Sequence, residues 1–345
     1  MTFNTDFQYN SIEMYTCNFI ILYVYIFFDA MRILISHIDL DGYGVNVLES
    51  IYSEYLRYDE IKNKNYGFEE EQEIKDLIEP ENDITIVDLS IPEPVYLDWR
   101  NKVHSLTIID HHESSKYIQN YEGNIWSDQM SGTALFWTYV VKKTLVSCGQ
   151  RWDKKIDYFV ALVDCYDRWQ EDSMYWLDAT RLNKVNQSLG NKFVGHMVNK
   201  LTRTWEWTSE ETDCFETIEQ EENRILSDIE KDLVIKADNN GYNFCLVEIP
   251  EKSKLSMVCS KLLTKYPEID YVMGYNARNN SLSFRSKKDY INLTQIQGVF
   301  GHKLAAGGAY DPSDFYKLLL EDYCVSWTKD TVRKSAKILV EKIDR

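Results

Sequence analysis

An α/β fold is what this sequence predicts: a mainly parallel sheet, then a helical connector, then a smaller mixed α/β C-terminal domain. Two observations carry that reading. Short apolar runs ending in Asp or His recur three times before residue 112, separated by stretches of helical periodicity. This is the pattern of βαβ units, whose strands are buried on both faces and read as near-continuous apolar runs. After residue 240, strand-like runs crowd closer together around one helical stretch, as in a small mixed sheet.

Residues 19–28 (FIILYVYIFF) form an apolar run, but ten residues fall short of the roughly 20 that a membrane helix needs. Asp6 and Glu13 precede it and no basic segment does, which argues against a secretory signal. Residues 1–30 are therefore expected to be an extension without chemistry, and no membrane association is expected. The first domain, 31–185, opens on the strand 32–36, followed by a helix over 45–56. Residues 62–81 are mostly polar and charged and predict a solvated helix and loop. Strands over 84–88 and 106–110 and a helix over 133–146 complete the alternation. The connector, 186–239, is helical from 188 to 233, with Phe215, Ile218, Ile225 and Ile229 spaced along an acid-rich segment. Strands over 242–248, 271–277 and 282–285 and a helix over 253–266 build the second domain, 240–330, with Asn279-Asn280 as a hairpin turn. Residues 331–345 are expected to form a C-terminal helix.

With 345 residues, 44% of them hydrophobic, a large core is available. The net charge of −17 speaks against a protein that grips long nucleic acid by its phosphates, because that affinity comes from a basic footprint. A small anionic substrate, held by metal ions and a few Arg or Lys, fits better. Seven scattered cysteines without a CxxC pair argue against a disulfide framework or zinc ribbon and suit a reducing cytoplasm.

The strand ends carry the chemistry. In His37-Ile38-Asp39-Leu40-Asp41-Gly42 the two carboxylates fall on one side of an extended chain, where they repel unless a cation lies between them. Asp88 ends the second run, and Asp110-His111-His112 ends the third. Together Asp39, Asp41, Asp88 and His111 form a hard oxygen and imidazole set. It suits Mn²⁺ or Mg²⁺ better than a thiolate zinc site, and so many carboxylates suggest two ions about 3.5–4 Å apart. Asp164, after the apolar approach 161–163, reads as a further ligand rather than a partner for Arg168, and Asp167 as the structural member of that pair. In the second domain, Arg285 of Ser283-Phe284-Arg285-Ser286 can clamp a phosphate. The small residues around His302-Lys303 (GHKLAAGG, 301–308) let backbone approach an anion. Trp169 and Tyr275 are candidates for stacking a base.

These motifs, in this order, resemble the DHH phosphoesterases with a DHH-associated C-terminal domain, the group of nanoRNases, RecJ-type exonucleases and cyclic-dinucleotide phosphodiesterases. The resemblance covers about residues 31–325 and rests on HIDLDG (37–42), Asp88, DHH (110–112), Asp164, SFRS (283–286) and GHKLAAGG (301–308). It implies a two-lobed hydrolase with two Mn²⁺ ions, replaceable by Mg²⁺ or Co²⁺. Asp39, Asp41, Asp88, His111 and Asp164 would bind them, with Asp88 bridging and His37 as an additional candidate. His112 would face the scissile phosphate, Asp110 would orient the histidines, and Arg285, Ser286, Gly301, His302 and Lys303 would hold the substrate. The chain departs from many relatives in the short gap between His37 and its Asp pair, and in Val299-Phe300 where a run of glycines is common. The expected substrate is a short single-stranded oligonucleotide or a dinucleotide, with room for a homodimer. A processive RecJ-like exonuclease, a cyclic or linear dinucleotide phosphodiesterase and a non-catalytic nucleotide-binding protein are the alternatives. An inorganic pyrophosphatase ranks lower, since its second lobe lacks the GHKLAAGG-type turn.

Overall fold

The computed structural model describes residues 30–64, 68–238, 240–251, 254–293, 296 and 300–309. The extension 1–29, Val299 and the C-terminal helix expected over 331–345 lie outside the described residues. Contacts divide the chain into two units.

The first unit is built on strands β1 (Arg32–Ser36), β2 (Glu60–Asn63), β3 (Asp83–Val87), β4 (Ser105–Asp110) and β5 (Ile125–Trp126). They form one sheet in the order β2-β1-β3-β4-β5, and all pairs are parallel. Helices α1 (Leu40–Leu56), α2 (Phe68–Lys75) and α3 (Glu93–Arg100) make the crossovers. Helix α4 (Gly132–Phe136) continues through a wide π-type turn (Trp137–Val141) into Lys142–Ser147, and α5 (Lys154–Asp167) follows. The mainly parallel α/β reading therefore holds.

The three central strands, β1, β3 and β4, bury both faces. Ile33, Ile35, Ile84, Ile86, Leu106 and Ile108 point into one cluster with Tyr96 and Trp99 of α3. The alternate residues Leu34, Val87 and Ile109 are fully buried on the opposite face, where α1 and α4 pack. Each such residue contributes about 1.5–3 kcal/mol by leaving water, so the apolar runs fix these strands in the interior. Strand β2 falls within and just before the stretch read as solvated helix and loop. It is a short, charged edge strand (EIKN), and a composition that protects an edge from further pairing also hides it in the sequence.

The second unit contains most of α6 (Trp176–Leu189), together with α8 (Ser209–Glu230) and α9 (Leu255–Lys265). Helix α7 (Phe193–Thr202) belongs to the first. A capping box starts α8: Thr208 Oγ1 accepts from Glu211 N–H, and the Glu211 carboxylate accepts from Thr208 N–H at 2.8 Å. The sheet of this unit comprises β6 (Ile235–Ala237), β7 (Asn243–Glu248), β8 (Tyr271–Asn276), β9 (Ser281–Ser286), β10 (Phe300–His302) and β11 (Ala305–Ala309). Its order is β10-β11-β9-β8-β7-β6, with β7 and β8 parallel across the α9 crossover and the other neighbours antiparallel. The β8–β9 hairpin turns through Asn280, whose φ of 52° is a left-handed conformation that Asn tolerates. One face packs on α9 through Val258, Cys259 and Leu262, and the other gathers Phe244, Met273 and Phe284. No helix among the described residues is long and apolar enough to cross a membrane.

Candidate metal centre

Pairing of the parallel strands aligns the three motif-bearing strand ends. Ser36 is paired with Val87, and Val87 with Ile109, so His37, Asp88 and Asp110 each stand one residue beyond the same row. Neighbouring strands lie about 4.8 Å apart, which brings these residues together without any special loop. The end of β1 is further pinned by a polar network. Ser36 Oγ donates to Asn46 Oδ1 at 3.0 Å, and Asn63 Nδ2 donates to Ser36 Oγ at 3.0 Å and to the His37 carbonyl at 3.1 Å.

Three overlapping groups of ligand-capable atoms, each within 4.8 Å of one another, lie at this edge: Asp88, Asp110, His111 and His112; His37, Asp39 and Asp88; and Asp41, His111 and Asp167. His111 Nε2 is 3.2 Å from Asp88 Oδ1, 3.4 Å from Asp167 Oδ2 and 3.8 Å from Asp41 Oδ2. On the other side of Asp88, its Oδ2 lies 3.9 Å from His37 Nδ1, which meets Asp39 Oδ2 at 2.8 Å. Asp88 thus turns one oxygen toward each side of the cluster. It does so from a left-handed backbone, φ 59°, a conformation uncommon for non-glycine residues and tolerated best by Asn and Asp. Asp110 is fully buried, and its Oδ1 accepts from the His111 backbone N–H at 2.8 Å. Asp110 therefore braces the backbone that carries the histidines.

The reading of Asp39 and Asp41 as neighbours on one side of an extended chain is corrected. The strand ends at Ser36 and α1 begins at Leu40, so Asp39 is the helix cap, accepting from Gly42 N–H at 3.0 Å, and Asp41 sits in the first turn. The two carboxylates serve different sides of the cluster. A Cβ on Gly42 would lie 2.0 Å from the His37 carbonyl oxygen, so only glycine lets the helix start this close to the strand end.

Asp41 is held by a part of the chain the sequence reading passed over. Its Oδ2 accepts from Gly132 N–H at 2.6 Å and its Oδ1 from Thr133 N–H at 2.9 Å, both at the N-terminus of α4. That helix end favours negative charge. The signal was available: Ser131-Gly132-Thr133 ahead of an apolar helical run is an N-cap signature, and Ser131 Oγ does cap the helix. A Cβ on Gly132 would meet Asp88 Cβ at 2.6 Å and Asp41 Oδ2 at 3.0 Å. Gly132→Ala is therefore expected to destabilise the protein by about 1–3 kcal/mol, the usual cost of overpacking, and to weaken divalent-cation binding. Thermal melts with and without Mn²⁺ check both.

Asp164 and Asp167 also exchange the places expected of them. Asp164 Oδ1 accepts from Ser131 N–H at 2.7 Å and its Oδ2 faces Arg168 at 3.5 Å, so it braces the cap of α4 and stands outside the three groups. Asp167, at the C-terminal end of α5, is the residue that reaches His111. The expectation took 161–163 as an apolar approach ending at Asp164. The segment is helical, and the last turn of the helix delivers the later carboxylate.

Electrostatics describe the same cluster. Burial above all pushes the Asp88 carboxyl well above the usual carboxylate range, and Asp41, Asp39, Asp167 and Asp110 push it further. Asp41 is raised chiefly by burial, pulled back by His111 and raised again by Asp39. Carboxylates crowded this closely, out of water, remain ionised only with positive charge among them. Oxygen and imidazole donors with no thiolate fit a hard divalent cation such as Mn²⁺ or Mg²⁺.

In the second unit, Arg285 shares a row with Ala305 of β11 and His302 of β10. Its guanidinium donates to Ser256 Oγ at 2.6 Å and to the Phe284 carbonyl at 2.8 Å. GHKLAAGG forms an antiparallel hairpin turning at Lys303 and Leu304, with Lys303 exposed. Ser286, expected among the substrate residues, is buried, donates to the Asp270 carbonyl at 2.6 Å and accepts from Lys288 N–H, so its hydroxyl serves the turn that follows β9. Tyr275 is buried as well, with its hydroxyl 3.4 Å from Glu248.

No family model matches the chain. It is similar to oligoribonuclease NrnB of Bacillus subtilis (strain 168), 23% identical over 296 residues, which spans 79% of this chain and 71% of the relative. Among solved structures it is similar to exonuclease RecJ bound to manganese (15% identity, TM-score 0.55, 82% of this chain and 87% of that one). It is also similar to RecJ in complex with Mn²⁺ from Thermus thermophilus (14% identity, TM-score 0.56, 89% and 52%). A third is the DHH domain of a member of a ribosomal-protein family (13% identity, TM-score 0.54, 90% and 87%). Motifs, fold and relatives agree on one kinship: the chain is similar to the DHH phosphoesterases.

Proposed function

We propose that this protein is a metal-dependent phosphodiesterase that hydrolyses short single-stranded oligonucleotides with two Mn²⁺ ions, for which Mg²⁺ or Co²⁺ can substitute. The observation that carries the reading is Asp88, buried among carboxylates and presenting one oxygen toward His37 and the other toward His111. Asp88 would be the shared ligand, with His37 and Asp39 on one side and Asp41, His111 and Asp167 on the other. When bound, the ions supply an acidified water and offset the charge of the attacked phosphate. The chain's own groups do the rest. The N-terminus of α4 holds Asp41 in place, and Asp110 fixes the backbone at His111. The half-buried imidazole of His112 steadies charge developing on the phosphate or passes a proton to the leaving oxygen. Arg285, His302 and Lys303 would bind the substrate's terminal phosphate or nucleotide.

The names of the relatives, an oligoribonuclease and a manganese-bound exonuclease, support this chemistry. The test is a hydrolysis panel in Mn²⁺: RNA and DNA of two to twenty nucleotides, cyclic dinucleotides and pyrophosphate, with product ends identified. Turnover greatest on two- to five-nucleotide substrates is expected. Activity that does not fall with length points to a RecJ-like enzyme, and preference for dinucleotides alone to a dinucleotide phosphodiesterase. Inactivity on every nucleotide substrate sinks the proposal.

A further inference from the structure

Around Asp167 the chain carries an aromatic cluster, of which the sequence singled out Trp169 alone. Tyr166, Trp169 and Trp176 are mutually packed: Tyr166 and Trp176 stack with centroids 6.0 Å apart at 11°, and Trp169 meets Trp176 at 5.2 Å and Tyr166 at 5.4 Å. All three rings are half-buried. Beside them Met174 is 88% exposed and Leu177 59% exposed, among the most exposed large apolar residues of the described chain. Exposed apolar side chains beside partly covered rings offer an apolar surface to a ligand.

The backbone adds an independent observation. Helix α5 closes with Trp169 N–H donating to the Tyr166 carbonyl and Gln170 N–H to the Cys165 carbonyl, the pattern of a Schellman cap. The residue at its left-handed position is usually glycine. Here it is Trp169, at φ 55°. Of the four non-glycine residues with positive φ among the described residues, Arg57 caps a helix and Asn280 turns a hairpin. Trp169 caps α5 in the same way as Arg57, and Asp88 lies in the acidic cluster. The cap fixes the Trp169 backbone at the end of α5, two residues from Asp167.

We infer that Tyr166, Trp169 and Trp176, flanked by Met174 and Leu177, form a nucleobase platform that stacks the base nearest the scissile phosphate. Trp169 is the residue in direct contact with it. Consecutive Cα atoms are about 3.8 Å apart, so Trp169 is tethered within about 7.6 Å of Asp167, whose carboxylate reaches His111. A nucleotide whose phosphate sits at the cluster therefore has a ring-sized apolar face within reach of its base. Stacking tolerates every base, because each has a π-face, so the platform selects nucleotides over other phosphodiesters without reading sequence. The inference rests on the phosphodiesterase reading for its substrate, though not for its ligand.

The test compares Trp169→Ala, Trp176→Ala and Trp169→Phe with the wild type on a dinucleotide and on its abasic analogue, in Mn²⁺. Loss of one base-stacking contact corresponds to about a 5- to 150-fold change. Both alanine variants should lose kcat/KM by that factor on the dinucleotide and leave the abasic analogue unchanged, and Trp169→Phe should recover most of the loss. Binding is read separately, by quenching of indole fluorescence with AMP against ribose 5-phosphate. AMP should bind the wild type more tightly than ribose 5-phosphate does, and Trp169→Ala should abolish the difference. Equal losses on both substrates, or no loss on either, overturn the platform. If the wild type hydrolyses neither substrate, the phosphodiesterase reading fails, and AMP affinity unchanged in Trp169→Ala overturns the platform independently.

Discussion

Replacing Asp110 and His111 together with alanine is expected to lower kcat/KM on a dinucleotide by at least about a thousandfold while the far-ultraviolet spectrum stays that of the wild type. The size follows from the chemistry. Charge stabilisation by a bound divalent ion is worth several kcal/mol, and about 4 kcal/mol corresponds to a factor of a thousand. His111 takes part in two of the three ligand groups, and Asp110 holds its backbone. The fold should survive because the core that sets the strands is apolar: Ile33, Ile35, Ile84, Ile86 and Ile108 pack without either residue. Metal content measured on the same preparations should fall in parallel. Turnover retained by the double variant removes the proposed centre.

Asp88→Asn is expected to separate stability from function in the opposite direction. In metal-free protein the Asp88 carboxyl is buried with Asp41, Asp39, Asp167 and Asp110 around it, and the nearby imidazoles of His111 and His37 do not offset burial and those four acids, which hold it well above the usual carboxylate range. Near neutral pH that carboxyl must either take up a proton on folding or stay charged beside the other acids, and an amide does neither, so the metal-free variant should be more stable than wild type by about 0.5–2 kcal/mol. Mn²⁺ should reverse the ranking. At a hundred times its dissociation constant, an ion that binds only the folded state adds about 2.7 kcal/mol. The wild type should gain that much and Asp88→Asn little or none. Denaturant unfolding with EDTA and with Mn²⁺ measures both. A metal-free Asp88→Asn protein less stable than the wild type would show that the acids do not oppose one another as the structure indicates.

The sequence reveals most of the scaffold because its physics is local. Strands expected over 32–36, 84–88 and 106–110 appear at Arg32–Ser36, Asp83–Val87 and Ser105–Asp110, since burial on both faces writes an apolar run directly into the chain. β2 escapes because an edge strand needs polar residues. At the cluster, Asp39, Asp41, Asp88, Asp110, His111 and His37 are legible from the strand ends they follow. What is not legible depends on distant partners. Asp167 reaches His111 and Asp164 turns to Ser131 only because α5 docks where it does. Gly132 matters through Asp88 and Asp41, 44 and 91 positions away in sequence, and no window of residues contains that contact. Ser286 sits in a suggestive motif, yet alternation along β9 turns its hydroxyl away from the face of Arg285 and into a turn.

The shared row of His37, Asp88 and Asp110 has a consequence for how such a protein can diversify. The spacing of these three residues is dictated by main-chain pairing between adjacent strands, so the stretches of the joining segments away from Asp39, Asp41 and His111 are free to lengthen, shorten or acquire whole inserted modules. A foreign peptide grafted near residue 79 should leave manganese affinity intact, whereas deleting a single residue from β3 should erase it. The sheet behaves as a fixed ruler, and the loops become the part natural selection can rewrite without recalibrating the chemistry.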